Sequence, residues 1–211
     1  MSDPRVATIP VVDRGERLLD VRADGELLVD SRRADETGAF AHLRQGVLER
    51  LLHAQALLPD GLRLLLIEGF RPPALQRQYF EQYAQELRAA NPTWSPEQVR
   101  EASSRFVSPP DIAPHSAGAA VDITLVNTEG IELDMGTRVN ASLEESAGAC
   151  NTGADSISHQ AHTNRTTLST ALSAAGFVNY ATEWRHWSRG DRHWALMTNQ
   201  PCALYGPREL P

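Results

Sequence analysis

The chain has 211 residues, with 20 lysines and arginines against 27 aspartates and glutamates, for a formal net charge of −7. That length is most economically one domain with enough chain for a real core, and the acidic balance argues against nucleic acid or an anionic membrane as a partner. No apolar run approaches the about twenty residues of a membrane span, and Asp3, Arg5, Asp13 and Arg14 leave no room for an apolar secretory region. Cys150 and Cys202 are too few for a disulfide framework. The expectation is a cytoplasmic protein with two free thiols.

Residues 1–35 hold two short apolar runs, Leu18–Val21 and Glu26–Asp30, around Ala23-Asp24-Gly25. They read as two strands and a turn, or as a strap packed on a main body formed by residues 36–211. From Thr37 to Ala56 the residues Phe40, Leu43, Val47, Leu48, Leu51 and Leu52 recur at helical spacing, with Asp35 as a cap and Pro59-Asp60-Gly61 as the stop. His42 and His53 fall inside this span and read as packing or surface residues. Leu62–Glu68 is a short apolar run, expected to be a central strand buried on both faces. It carries Glu68 and, just beyond it, Arg71. That arginine is either an ion-pair partner of Glu68 or a fixed guanidinium for an oxyanion or a substrate carboxylate.

Pro72 and Pro73 suit the first turn of a helix running to about Ala90, with Leu75, Tyr79, Phe80, Tyr83 and Leu87 along one side. Ser95-Pro96-Glu97-Gln98 is a capping box opening a short helix to about Ser103. Pro109 and Pro110 then make the approach to His115 extended. In Pro114–Leu125 the histidine sits in a small-residue loop, and Asp122 follows in a strand-like alternation. Val121, Ile123 and Leu125 share one face, leaving Ala120, Asp122 and Thr124 on the other.

A carboxylate on such a strand needs a partner, because burying it unpaired costs several kcal/mol, and a bound cation offsets that cost. His115 and Asp122 are both zinc-ligand types, but a catalytic zinc takes three protein ligands. The third is supplied by Glu183-Trp184-Arg185-His186. This stretch reads extended, and residues three apart on a regular strand point to opposite faces. Glu183 is therefore expected on a turn or bulge just before the strand carrying His186. Two imidazoles and one carboxylate leave a zinc site with net positive charge, enough to bring the pKa of water there toward neutrality. Glu183 is then free to act as general base.

Elsewhere, Asn127–Asp134 reads as a hairpin return, and the stretch from Gly136 to Gln160 as a loop rimming the site. His159 and His162 could chelate from a helix but have no acid beside them. Their helix is expected to end at Gly176. His193, expected on a return strand after the Ser188–Asp191 turn, is a rival ligand or a support for His186. Trp184, Trp187 and Trp194 wall the site or fill the core, and Arg185 reads as a surface residue.

Glu68-Gly69-Phe70-Arg71-Pro72, the run from His115 to Asp122, Asp134-Met135-Gly136-Thr137 and Glu183-Trp184-Arg185-His186 occur in that order. Together, from about Leu62 to Pro207, they resemble the D-alanyl-D-alanine dipeptidase family, zinc peptidases that include the dipeptidase of vancomycin resistance. The resemblance implies one zinc held by His115, Asp122 and His186, Glu183 as general base, and Arg71 as transition-state stabiliser. It also implies an α+β fold, a single domain with a largely antiparallel central sheet flanked by helices, as in D,D-carboxypeptidases and the Hedgehog signalling domain. Where the vancomycin-resistance enzyme has a dipeptide-binding serine and acid, this chain has Ala113 and Asn140, so the metal chemistry carries over better than the substrate. The implied activity is hydrolysis of a D,D-dipeptide such as D-alanyl-D-alanine. The alternatives are the same chemistry in a D,D- or L,D-carboxypeptidase or a hydrolase of a peptide-like metabolite, or a zinc-containing binding module without turnover.

Overall fold

The computed structural model describes residues 3–23 and 25–210. Strand β4 (Leu62–Glu68) and strand β5 (Ala120–Asn127) form the centre of a five-stranded sheet, flanked by β2 (Leu28–Val29), β7 (Glu183–Ser188) and β6 (Val178–Tyr180) in the order β2-β4-β5-β7-β6. The β2–β4 pair is parallel and the others antiparallel, as expected of a largely antiparallel sheet. Helices α2 (Gln45–Ala56) and α5 (His159–Ala174) cover one face. Their Val47, Leu51, Leu168 and Leu172 join Leu64, Leu66, Val121, Ile123 and Leu125 in the main core. The opposite face carries Asp122 and Thr124, and it too is buried.

Residues 18–20 and 28–29 are both strands, but they do not pair with each other. β1 (Leu18–Asp20) pairs with β3 (His42–Arg44), whereas β2 adds to the main sheet. The turn expected at Ala23-Asp24-Gly25 includes Asp24, which lies outside the described residues. The helix expected from Thr37 begins only at Gln45. Asp35 is not the cap of a helix: its carboxylate accepts from the Ala39 and Phe40 N–H groups at 3.1 and 3.0 Å, at the start of a 3₁₀ turn, Ala39–Ala41, whose N-cap is Gly38. Phe40 and Leu43 are therefore buried from a turn and a strand, and His42 lies on β3.

After a short N-terminal helix, α1 (Pro4–Thr8), the segment reaches the chain's far end through a Val11–Ala203 bridge. Helix α3 (Pro73–Ala90) buries Gln76 and Phe80, and α4 (Pro96–Ser103) opens with the expected Ser95–Gln98 capping box. The return after Asn127 is a single bridge, Val126 to Glu132. The 136–158 stretch has no regular element. Arg165 of α5 pins it by donating to the carbonyls of Met135, Ala149 and Asn151. Gly176, with φ +87°, follows α5 as expected. His193 lies not on a strand but on helix α6 (Arg192–Met197), because Asp191 caps it by accepting from the His193 and Trp194 N–H groups. Both cysteines are free, and among the described residues no helix is long and apolar enough to cross a membrane.

Candidate metal centre

Register places the site. Glu68 pairs with Asp122 across β4 and β5, and Asp122 pairs with His186 across β5 and β7. Directly opposed residues on antiparallel strands bring their Cβ atoms to about 5 Å, so three strands set Glu68, Asp122 and His186 in one row. His115 comes from the turn before β5. Its Nδ1 donates to the Gly69 carbonyl at 2.6 Å, which leaves Nε2 as a lone pair facing the row. The fit is tight at both glycines. A Cβ on Gly69 would meet the His42 carbonyl oxygen at 2.6 Å, and Gly118, which closes the His115 turn, has φ +65°.

The donor atoms converge. His115 Nε2 lies 3.2 Å from His186 Nδ1, which lies 3.1 Å from Asp122 Oδ1, and Nε2 is 3.6 Å from that oxygen. Ligands at zinc distances in a tetrahedron stand about 3.3 Å apart. Two imidazole nitrogens and a carboxylate oxygen, all buried, thus match a divalent ion in both spacing and donor type. Among the described residues, His186 Nε2 is buried with no hydrogen-bond partner.

The charges are fixed in pairs. Burial opposes ionisation of Asp122, yet the Arg185 guanidinium and then the adjacent His115 and His186 rings hold its carboxyl well below the ordinary carboxylate range. Burial likewise opposes charge on Glu68, and Arg71 keeps it below its usual value. Arg71 donates to both Glu68 oxygens at 2.6 and 2.7 Å and to Gln76 Oε1 at 2.8 Å, with the Tyr79 ring 5.3 Å from its guanidinium carbon. Arg71 is ion-paired with Glu68, and it lines the same cleft as the candidate donor atoms. Burial works against a proton on His115, but the Asp122 carboxylate raises its pKa nonetheless.

Glu183 is the first residue of β7, where the β6 register jumps from Asn179↔Trp187 to Tyr180↔Glu183. That bulge lets Glu183 and His186, three residues apart, open on the same cleft. The cleft holds about 450 Å³ and runs from the donor atoms between β7 and α3. Arg185, read from sequence as a surface residue, is a member of the site. Its Nη2 reaches Glu183 Oε2 at 2.7 Å and its Nε reaches Asp122 Oδ2 at 3.3 Å. The alternation of Glu183 with Arg185 was the available signal for this.

Residues 33–203 match the D-Ala-D-Ala dipeptidase family of M15 peptidases. The chain belongs to that family. Membership makes it a metallopeptidase. It is 29% identical to a D-alanyl-D-alanine dipeptidase from Synechocystis sp. over 91% of this chain and 89% of that one. A D-alanyl-D-alanine dipeptidase from Enterococcus faecium is 31% identical over 66% of this chain and 68% of that one. Among solved structures, the LdcB LD-carboxypeptidase superposes with a TM-score of 0.50 at 13% identity, covering 90% of this chain and 76% of that one, a likeness of fold.

Other expectations about the dipeptidase site change. No described residue of 136–160 lines the cleft, whose rim comes from α3, the segment 104–108 and Ala113-Pro114. Thr137 and Asn140 instead line a neighbouring cavity with Thr124 and Trp184. Trp184 and Trp187 fill the main core and Trp194 a separate cluster, and none of the three lines the cleft. Tyr79, Tyr83, Phe106 and Tyr180 supply its aromatic walls. His193 is not beside the donors. Its ring packs 5.5 Å from Tyr180, which in turn packs 6.0 Å from His186. His159 and His162 lie at the start of α5, outside the candidate ligand set.

Proposed function

We propose that the protein is a zinc-dependent D,D-peptidase that hydrolyses the peptide bond of a D-alanyl-D-alanine unit, the free dipeptide being the simplest substrate. The observation that carries this reading is the convergence of His115 Nε2, Asp122 Oδ1 and His186 Nδ1 at 3.1–3.6 Å beside Glu183. These three side chains would hold the ion, which when bound supplies Lewis-acid activation of water and of the scissile carbonyl. Glu183 takes the proton from the attacking water and returns it to the leaving amine. Arg71, locked by Glu68 and Gln76, presents a fixed guanidinium to the developing oxyanion. Glu68 and Arg185 hold these charges in place, and Tyr79, Tyr83 and Phe106 limit water in the cleft. The free thiols Cys150 and Cys202 accord with a reducing, cytoplasmic setting.

The test pairs metal analysis of the purified protein with turnover of D-alanyl-D-alanine and of longer peptides ending in it. One zinc per chain and release of D-alanine are the expected results. A protein that binds zinc at these residues but cleaves none of these peptides would be a binding module.

A further inference from the structure

We propose that Arg33 is the residue that reads the substrate's C-terminus, its guanidinium taking the free carboxylate of the residue on the leaving side of the scissile bond. The inference rests on the peptidase reading above and assigns one specificity residue within that site.

Arg33 has a firm base and a free tip. Strand β2 ends at Val29, and the Asp30 N–H donates to the Leu66 carbonyl at 2.8 Å, tying the strand's exit to β4. The Asp30 carboxylate accepts from the Arg32 backbone N–H at 2.6 Å, and the Ala34 N–H closes the turn on the Ser31 carbonyl at 2.9 Å. The two arginines of this turn then part. Arg32 pairs with Asp30 and Glu132 and lines the cavity that holds Thr124, whereas Arg33 lines the cleft. Among the described residues the Arg33 guanidinium makes no hydrogen bond. Its Nε stands 4.0 Å from Glu68 Oε2, beyond bonding distance, and both Glu68 oxygens already accept from Arg71. A half-exposed cation without an acid of its own is suited to an incoming anion.

Covalent geometry brings that anion close. The scissile carbonyl and the C-terminal carboxylate of a D,D-unit are separated by one nitrogen and one carbon, so their carbon atoms lie about 3–4 Å apart. A carbonyl set at the His115, Asp122 and His186 donors therefore carries the carboxylate to the same end of the cleft. Glu68 pairs with Asp122 across β4 and β5, so Arg33, beside Glu68, stands one strand from a candidate ligand. The other cations there are committed. Arg71 spends Nε and Nη2 on Glu68 and Nη1 on Gln76, which leaves it the developing oxyanion. Arg185 spends Nε and Nη2 on Asp122 and Glu183, and its Nη1 is buried out of reach of the cleft. Arg105, 60% exposed, is paired with Glu101 at 3.1 Å. Among the described residues of the cleft, Arg33 alone offers a whole fork, and that fork matches a carboxylate through two parallel hydrogen bonds.

The experiment compares kcat/KM of the zinc-loaded enzyme on D-alanyl-D-alanine and on D-alanyl-D-alaninamide, whose C-terminus carries no charge. Wild type is expected to favour the acid by about tenfold or more, the usual worth of a hydrogen-bonded charge. Arg33→Gln should bring that ratio close to one, with the loss on the acid lying mainly in KM, because the contact is outside the reacting bond. Arg33→Lys keeps the charge without the fork and should recover part of the ratio. Arg105→Gln should keep the wild-type ratio. Titration calorimetry of D-alanyl-D-alanine into zinc-loaded Glu183→Ala reads the same contact without turnover, and adding Arg33→Gln should weaken binding by about tenfold. A wild-type ratio in Arg33→Gln overturns the inference and leaves the peptidase reading standing. So does an equal fall on acid and amide, which would make Arg33 a structural part of the rim. Cleavage of neither by zinc-loaded wild type removes that reading, and the inference with it.

Discussion

Arg185 ties Asp122 to Glu183. One planar guanidinium, its side chain 14% exposed, reaches Asp122 Oδ2 from Nε and Glu183 Oε2 from Nη2. A candidate ligand and the candidate base therefore share a single rigid support. Groups that orient a metal's ligands typically contribute about ten- to a hundredfold to its affinity. Arg185→Met is expected to weaken zinc binding by that amount in a chelator competition, with the far-UV spectrum unchanged. Arg185→Lys keeps the charge but loses the fork, so it should recover the affinity only in part. Wild-type affinity in Arg185→Met would show that Asp122 is oriented without it.

Glu183 makes the opposite prediction. Since His115, Asp122 and His186 already provide three donors, Glu183→Ala should retain stoichiometric zinc while the rate falls by about a hundred- to ten-thousandfold, the range for losing a general base. Zinc content and steady-state rate measured on one preparation separate the two effects. An unchanged rate removes Glu183 from the chemistry.

Strand β5 and the position of Asp122 on it were legible because their signals are local. Alternation from Ala120 to Leu125 marks β5, and a carboxylate on such a strand asks for a cation. What pairs with what was not local. Asp122 faces His186 only through the β5–β7 register, and the same register turns Arg185 from an apparent surface residue into a member of the site. The helix expected from Thr37 failed for a related reason. Phe40, Leu43 and Val47 fit a helical period, but β3 is held extended by β1, more than twenty residues earlier in the chain. His193 shows a local signal overlooked, since Asp191 ahead of Arg192-His193-Trp194 is a helix cap as well as a turn residue.

The Glu68–Arg71 pair connects stability to pH. Both side chains are largely buried, at 7% and 15% exposure, and both Glu68 oxygens accept from Arg71. Glu68→Gln leaves a buried guanidinium without its counter-charge, a change that costs about 3–5 kcal/mol in comparable pairs. Because Arg71, against the effect of burial, holds the Glu68 carboxyl below its ordinary value, the stabilisation is complete above the unfolded value of about 4.3. It is lost as pH falls through the lower folded value. Urea midpoints of wild type and variant should differ by a constant amount above about pH 5 and converge in acid. A gap that widens on acidification would mean the carboxyl is not held ionised by the pair.

Gly118 is where the fold's edges meet the metal centre. Buried Arg44 donates from Nε to the Ala117 carbonyl at 2.8 Å and from its backbone N–H to the Gly118 carbonyl at 3.0 Å, and Asp13 and the Gly206 carbonyl hold its other end. Both termini thus brace the turn that carries His115. At Gly118 a Cβ would lie 2.4 Å from Leu18 Cδ2 on a backbone with φ +65°. Left-handed backbone at a non-glycine residue costs about 1–3 kcal/mol before any clash is counted. Gly118→Ala should therefore lower thermal stability, and because the new Cβ also presses on Arg44 Cγ and backbone N at 3.3 and 3.4 Å, where Arg44 holds the turn, it should also weaken zinc binding. Gly130→Ala, at φ +79° with nothing within 4 Å of its Cβ, is the matched control: it carries the backbone cost without the clash and lies outside the site. A loss of zinc affinity in Gly118→Ala and not in Gly130→Ala locates the effect in the His115 turn. Equal affinities in the two variants would show that His115 is held by its Gly69 hydrogen bond alone.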